Sequence, residues 1–171
     1  MTLSGEILIP RERIAARVAE MARRIAVHGP ALDRTLDVLC VMDGAYMFCA
    51  DLVRELPMPL RMGFVRVVSV ERGGDPARVR LPEQLAIRGA DLLVVEDILD
   101  SGRTLSRLVA RLESLAPRRL RVAVLLDKPI RRRVEIRADY VGFTVGDHWI
   151  VGYGLDHEGR YRNLPDISYV K

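Results

Sequence analysis

Lysine is nearly missing from this sequence: of 27 basic residues, only Lys128 and Lys171 are lysines and 25 are arginines. Lys and Arg differ in hydration and donor geometry, so an ammonium kept at an internal position of so arginine-rich a chain is a candidate for point-like recognition. Cysteine is equally scarce. Cys40 and Cys49 lie in apolar stretches without metal-ligand spacing, which argues against a structural disulfide and for buried thiols in a reducing compartment. No apolar run approaches the ~20 residues a membrane helix needs, and the start MTLSGEILIPRER has no secretory apolar core. The cytoplasm is the expected location, with no membrane partner. Internal repeats, linkers and low-complexity segments are also missing. The net charge of +4 and pI near 9.4 suit anionic ligands but are too small an excess to argue for nucleic acid. What is present is ordinary for a globular chain: 171 residues, 49% hydrophobic and 29% charged, expected to form a single domain over 1–171.

The apolar spacing of Ile14, Val18, Met21 and Ile25 predicts a helix that His28-Gly29-Pro30 ends. Val38 to Met42 reads as a strand, Asp43-Gly44 as a tight loop and Tyr46 to Leu56 as a helix. Leu60 to Val70 reads as a strand, followed by a polar loop, Glu71 to Arg80, whose Gly73-Gly74-Asp75-Pro76 core suggests mobility. Leu92 to Val95 is apolar without alternation, as in a strand covered on both faces. Thr104 to Leu115 then reads as helix and Arg121 to Leu126 as another buried strand. Such alternation implies an α/β fold with a mostly parallel central sheet flanked by helices. From about Tyr140 onward, Gly142, Gly146, Gly152 and Gly154 break up short apolar segments. This tail, over about 140–171 and joined by the N-terminal segment, is expected to form a small hood. Arg131-Arg132-Arg133 reads as a solvated turn.

The most informative stretch is LLVVEDILDSGRTL, Leu92 to Leu105. A buried strand ends in two carboxylates and passes through a small-residue turn into a helix. Ligands of open α/β sheets sit outside the carboxyl ends of strands. The turn Asp100-Ser101-Gly102-Arg103-Thr104 offers backbone N–H groups, two hydroxyls and a helix N-terminus, which together favour a phosphate group. It is not a P-loop, because the Gly-Lys-Ser/Thr ending is absent. The adjoining acids Glu96 and Asp97 suit either two vicinal hydroxyls or a magnesium ion.

EDILDSGRT closely resembles the phosphoribosyl-pyrophosphate-binding motif of type I phosphoribosyltransferases. That resemblance implies that Glu96 and Asp97 address the ribose hydroxyls and magnesium, and that Asp100, Ser101, Gly102, Arg103 and Thr104 cradle the 5′-phosphate. It also implies that Asp100 is the catalytic acid handling the purine N7 proton. Lys128, in LLDKP, places a cationic donor where it suits an exocyclic oxygen and opposes an amino group, which selects a 6-oxopurine. Trp149, the only tryptophan, offers a flat face for a heterocycle. Val141 to Pro165 resembles the purine-covering tail of hypoxanthine-guanine phosphoribosyltransferases. On that resemblance Lys128 contacts the purine O6, Trp149 stacks on the base and the Ile150 carbonyl accepts from its edge. Asp156 binds a second magnesium, and Arg162 holds pyrophosphate together with the Asp43-Gly44 loop. His148 and His157 are expected to be exposed loop residues.

The implied activity is transfer of 5-phosphoribosyl to hypoxanthine or guanine in purine salvage, by a magnesium-dependent homodimer or homotetramer that does not bind nucleic acid. Two positions depart from the family pattern. The pyrophosphate loop usually has Lys or Arg before its Gly, where this chain has Asp43, and an anion there repels pyrophosphate unless a cation intervenes. The mobile loop usually has a Ser-Tyr pair, where this chain has Ser69-Val70-Glu71-Arg72. These departures keep a second reading open: a catalytically weak purine-nucleotide or phosphoribosyl-pyrophosphate-binding regulator of the same fold.

Overall fold

The computed structural model describes residues 2–31, 34–67 and 80–171. Its elements run β1 Leu3–Ile9, α1 Arg11–Val27, β2 Leu36–Met42, α2 Tyr46–Arg54, β3 Leu60–Arg66, β4 Asp91–Leu99, α3 Arg103–Ser114, β5 Arg119–Asp127, β6 Tyr140–Thr144, β7 Trp149–Val151 and β8 Ile167–Val170. A 3-10 turn spans Pro129–Arg131. The apolar runs without alternation become the middle of a five-stranded parallel sheet of order β3-β2-β4-β5-β6. The expected strand from Leu60 is found as far as Arg66; Val68 to Val79, including Ser69-Val70-Glu71-Arg72 and the Gly73-Gly74-Asp75-Pro76 core, lie outside the described residues.

Side chains alternate across a strand, and both faces of this sheet are covered. Val38, Cys40, Leu93, Val95, Ala123 and Leu125 pack toward Ile14, Val18, Met21 and Ile25 of α1 and Phe48 and Leu52 of α2. Leu39, Val41, Leu92, Val94, Val122 and Val124 pack toward Leu105, Leu108 and Leu112 of α3. Two-sided burial is why these strands lack a polar alternation. Cys40 and Cys49 are free, buried thiols within the first of these layers. No helix among the described residues is long and apolar enough to cross a membrane.

A second, antiparallel sheet of order β1-β8-β7 joins the N-terminal segment to the C-terminal one. The strand Leu3–Ile9 is one that the sequence pattern does not announce, because most of its residues are exposed or half-buried. Tyr140–Thr144, expected within the hood, instead pairs in parallel with β5 and forms an edge of the central sheet. Its Tyr140 is buried in the same layer as α1. From the C-terminal tail the small sheet takes only β7 and β8, beside β1.

Leu108, 1% exposed in the α3 layer, reports on this packing. Leu108→Ala is expected to lower unfolding free energy by about 2–5 kcal/mol, whereas Ala at the exposed neighbour Arg107 should cost no more than about 0.5 kcal/mol. Equal urea midpoints for the two variants would contradict the layer assignment.

Candidate active site

The chain leaves β2 toward β3 on one side and continues through β4 on the other, so the strand order reverses between β2 and β4. A crevice outside the carboxyl ends of such strands is the ligand site of open α/β sheets. β4 pairs with β2 only as far as Val95, opposite Cys40, but stays with β5 as far as Leu99, opposite Asp127. Residues 96–99 therefore border a gap in the sheet, and Glu96 and Asp97 fall into it.

The Asp43-Gly44 loop closes one side of that gap. A Cβ at Gly44 would overlap the Asp97 carboxylate, so only Gly allows this loop to lie against the acidic pair. The Met42–Asp43 peptide is cis. Gly154 lies in turn against the Gly44 carbonyl. Arg162 donates to the Gly154 carbonyl at 2.6 Å and pairs with Asp156 at 2.8 Å. Asp156 also accepts from the Gly159 N–H at 2.7 Å. The Arg162 charge is felt at Asp97, so the two expected pyrophosphate elements converge on one edge of the acidic pair.

Glu96 and Asp97 are both partly buried and adjacent. Burial pushes the Glu96 carboxyl well above the usual range, and the neighbouring Asp97 charge adds to it. Burial also pushes Asp97 up, against hydrogen bonds from Glu96 and the Ile98 N–H. The latter bond measures 2.6 Å. Two desolvated carboxylates side by side favour a shared cation or hydroxyl donors.

On the β5 side of the crevice, Gly102 adopts φ +82 as the residue before α3, and a Cβ there would meet Ile136 Cγ2 at 2.7 Å. This left-handed residue turns the chain so that α3 begins at Arg103. No acidic side chain occupies the first turn of α3, so the helix dipole there is not offset by a carboxylate and favours an anion; the Arg103 N–H lies 3.4 Å from Ser101 Oγ. The turn is held from behind. Arg132 donates to the carbonyls of Leu99 at 3.0 Å and Asp100 at 2.5 Å and pairs with Asp127, and the Arg133 N–H donates to the Ser101 carbonyl at 2.9 Å. Arg131-Arg132-Arg133 is thus not simply a solvated turn. Arg131 Nε lies 3.2 Å from Asp100 Oδ1, and the Arg132 side chain is only 18% exposed. Sequence reasoning missed both roles, because a basic run carries no sign of the carbonyls it will face.

Lys128 is 5% exposed, and its Nζ donates to the His148 carbonyl at 2.7 Å with Asp147 4.0 Å away. Burial pushes its pKa down, opposed by the charges of Asp100 and Asp147. Trp149, next to that carbonyl, is 48% exposed and donates from Nε1 to the Asp156 carbonyl at 3.2 Å. Ile150 buries its side chain in the core and pairs with Tyr169 between β7 and β8. His148 is exposed, as expected, and lies 4.7 Å from the Tyr169 ring. His157 is not: it is half-buried, edge-on to Trp149 at 5.2 Å, with Nδ1 buried and without a hydrogen-bond partner among the described residues. Packing against the indole, not solvation, fixes its place.

Asp43 neither caps α2, which begins without a side-chain cap after Ala45, nor stands alone. Its Oδ1 accepts from Arg66 Nη2 at 2.5 Å and Nε at 3.2 Å. Arg66 is the last residue of β3 and sits beside Met42 in the parallel register.

Residues 6–158 match the family model described as the phosphoribosyl transferase domain. The chain is 39% identical over 168 residues to the hypoxanthine phosphoribosyltransferase of Salmonella typhimurium, covering 96% of this chain and 94% of that protein. It is 40% identical over 171 residues to the hypoxanthine-guanine phosphoribosyltransferase of Mycobacterium avium, covering 96% and 83%. The crystal structure of a hypoxanthine-guanine phosphoribosyltransferase from Bacillus anthracis superposes with a TM-score of 0.88 at 35% identity, covering all of both chains.

The acidic pair gives a pH prediction. A carboxyl whose pKa is raised by folding holds its proton more tightly folded than unfolded. The stability it contributes is therefore full below its ordinary value of 4.5 and is lost as pH rises toward the folded value. Glu96→Gln, measured without divalent cations, is expected to raise the denaturation midpoint at pH 7 and to flatten its decline above pH 4.5. A midpoint lower than wild type at pH 7 would count against strain at this pair.

Proposed function

This chain belongs to the phosphoribosyltransferase family and is a purine-salvage enzyme of it, and we propose that it transfers 5-phosphoribosyl from phosphoribosyl pyrophosphate to hypoxanthine, guanine or both through the residues of the β2/β4 crevice. The observation that carries this reading is the placement of an acidic pair, a phosphate-type turn and the one internal lysine around a single gap in the sheet. The products are IMP or GMP and pyrophosphate. The alternative of a catalytically weak regulator is not favoured, since the relatives are named as transferases over nearly their whole length.

In this reading the 5′-phosphate sits on the N–H groups and hydroxyls of Asp100 to Thr104, at the N-terminus of α3. Glu96 and Asp97 hold the ribose hydroxyls. The purine lies on Trp149, with O6 taking the Lys128 donor now given to the His148 carbonyl and with the Ile150 carbonyl at its edge. Pyrophosphate departs past Gly44 and Arg162 as the anomeric carbon develops oxocarbenium character. N9 attacks while N7 gives its proton to Asp100. Its Oδ2 is the atom suited to that task, because Arg131 occupies Oδ1.

Magnesium fits the donor set. The Glu96–Asp97 pair has no ion-pair partner among the described residues, and two strained carboxylates are hard oxygen ligands. No group of three or more potential metal-binding side chains occurs among the described residues, and Mg2+ characteristically uses one or two carboxylates plus substrate phosphates. Glu96 and Asp97 would hold one ion and Asp156, once freed from Arg162, a second. When bound, the ion would neutralise charge on the leaving pyrophosphate. The same reading puts the enzyme in the cytoplasm, as a homodimer or homotetramer.

Nucleotide formation from phosphoribosyl pyrophosphate with hypoxanthine, guanine, xanthine and adenine tests the function directly. Product with none of the four would refute it. Asp100→Asn is expected to fold normally and to lose roughly 10²-fold or more in turnover, the scale of a lost general base; unchanged turnover would remove Asp100 from that role. Adenine is expected to be disfavoured by about 1 to 3 kcal/mol in specificity, because its amino group would face the Lys128 donor. Comparable specificity constants for adenine and hypoxanthine would contradict this.

A further inference from the structure

The reaction just proposed needs a cation beside the leaving pyrophosphate, and the loop at the end of β2 presents an anion, Asp43. We propose that Arg66, at the end of the neighbouring strand β3, is the pyrophosphate-binding cation of this protein and that Asp43 is the residue that positions it. The inference rests on the transferase reading.

Three features of the pair lead there. The parallel register sets Arg66 beside Met42, so the guanidinium rises from the sheet at the same edge as the Asp43-Gly44 loop. Nε and Nη2 both converge on one oxygen, Asp43 Oδ1, an arrangement that fixes the guanidinium plane and leaves Nη1 uncommitted in this pair. The Arg66 side chain is 73% exposed, and an ion pair so exposed adds little to stability. Holding the fold together is therefore a poor explanation for it, while presenting donors to an anion is a good one.

The chemistry of the partner agrees. A guanidinium binds phosphate oxygens through parallel N–H donors, and its planar fork gains from being oriented beforehand. Asp43 does that orienting and also discharges itself, so the loop no longer repels the ligand that Gly44 approaches. A lysine or arginine on the loop itself would deliver its charge from β2. Here the charge arrives from β3, one strand away.

A second reading of the same pair is that Arg66 only cancels Asp43 and never touches the ligand. The two differ in what a double substitution does. Magnesium pyrophosphate and IMP are titrated separately into the full protein by calorimetry, for wild type, Arg66→Met, Arg66→Lys and the Asp43→Asn/Arg66→Met double variant. Arg66→Met is expected to weaken pyrophosphate roughly 10- to 100-fold, the range of a lost charge-assisted hydrogen bond, and to leave IMP, which has no pyrophosphate, unchanged. Arg66→Lys should recover part of the loss. The double variant, with both charges gone, should stay weak. Wild-type pyrophosphate affinity in the double variant or in Arg66→Met would overturn the proposal, while unaltered IMP binding would leave the transferase reading standing. Failure of the wild type to bind IMP at all would bring down both.

Discussion

Everything at this site follows from one parting of strands. β2 and β4 are hydrogen-bonded up to Cys40 and Val95 and then separate, while β4 keeps its bonds to β5. A gap of this kind cannot be filled by the apolar core, because the backbone at its rim must still meet polar partners. Glycine and carboxylate fill it instead. Gly44 lets the β2–α2 loop lie against Asp97, and Gly154 lets the small sheet's loop lie against Gly44. Two segments far apart in the sequence are thereby stacked one on the other over the acidic pair.

The rim is reinforced where it would otherwise be loose. Loops carry function when a rigid scaffold positions them, and here the scaffold reaches over the loop from outside the sheet. Arg132 gathers the Leu99 and Asp100 carbonyls while Arg133 takes that of Ser101. With its carbonyls held at the back, the turn that begins α3 is fixed in place at the rim of the crevice. The chain between β5 and β6 thus acts as a brace for the loop after β4.

What the sequence discloses, and what it does not, divides along the distance between partners. The runs Val38 to Met42, Leu92 to Val95 and Arg121 to Leu126 state their burial on both faces in their composition, and α1 states its buried stripe in its spacing. The turn Asp100 to Thr104 is legible because its hydroxyls, glycine and helix start are contiguous. Pairing of Leu3 with Val170 is not, since most of Leu3–Ile9 is exposed or half-buried and the partners meet only in the folded chain. Arg66 is silent for the same reason: it lies 23 residues from Asp43, and the sequence gives Asp43 as an unaccompanied anion. His157 reads as a loop residue until Trp149 is seen against it.

The free site holds its charges in two ways. Asp43 has Arg66 and Asp100 has Arg131, contacts that fix an orientation, while Asp156 has Arg162 and the buried Lys128 has a carbonyl. The first two pairs are open to solvent, and pairs of that kind are worth about 0–1 kcal/mol. A ligand that takes over Asp156 or Lys128 would replace one polar partner by another, whereas leaving the same charges buried and unpaired would cost on the order of several kcal/mol each. Glu96 and Asp97 are the exception, having no direct ion pair among the described residues and being held above their ordinary range by burial, which the Arg162 charge offsets only in part at Asp97. The strain of the site is concentrated at these two carboxylates, where hydroxyl donors or a divalent cation would relieve it, and the rest of the crevice is kept cheap to rearrange. Relief of that strain by a bound group would thus be a source of free energy for displacing Arg162 from Asp156 and Lys128 from its carbonyl.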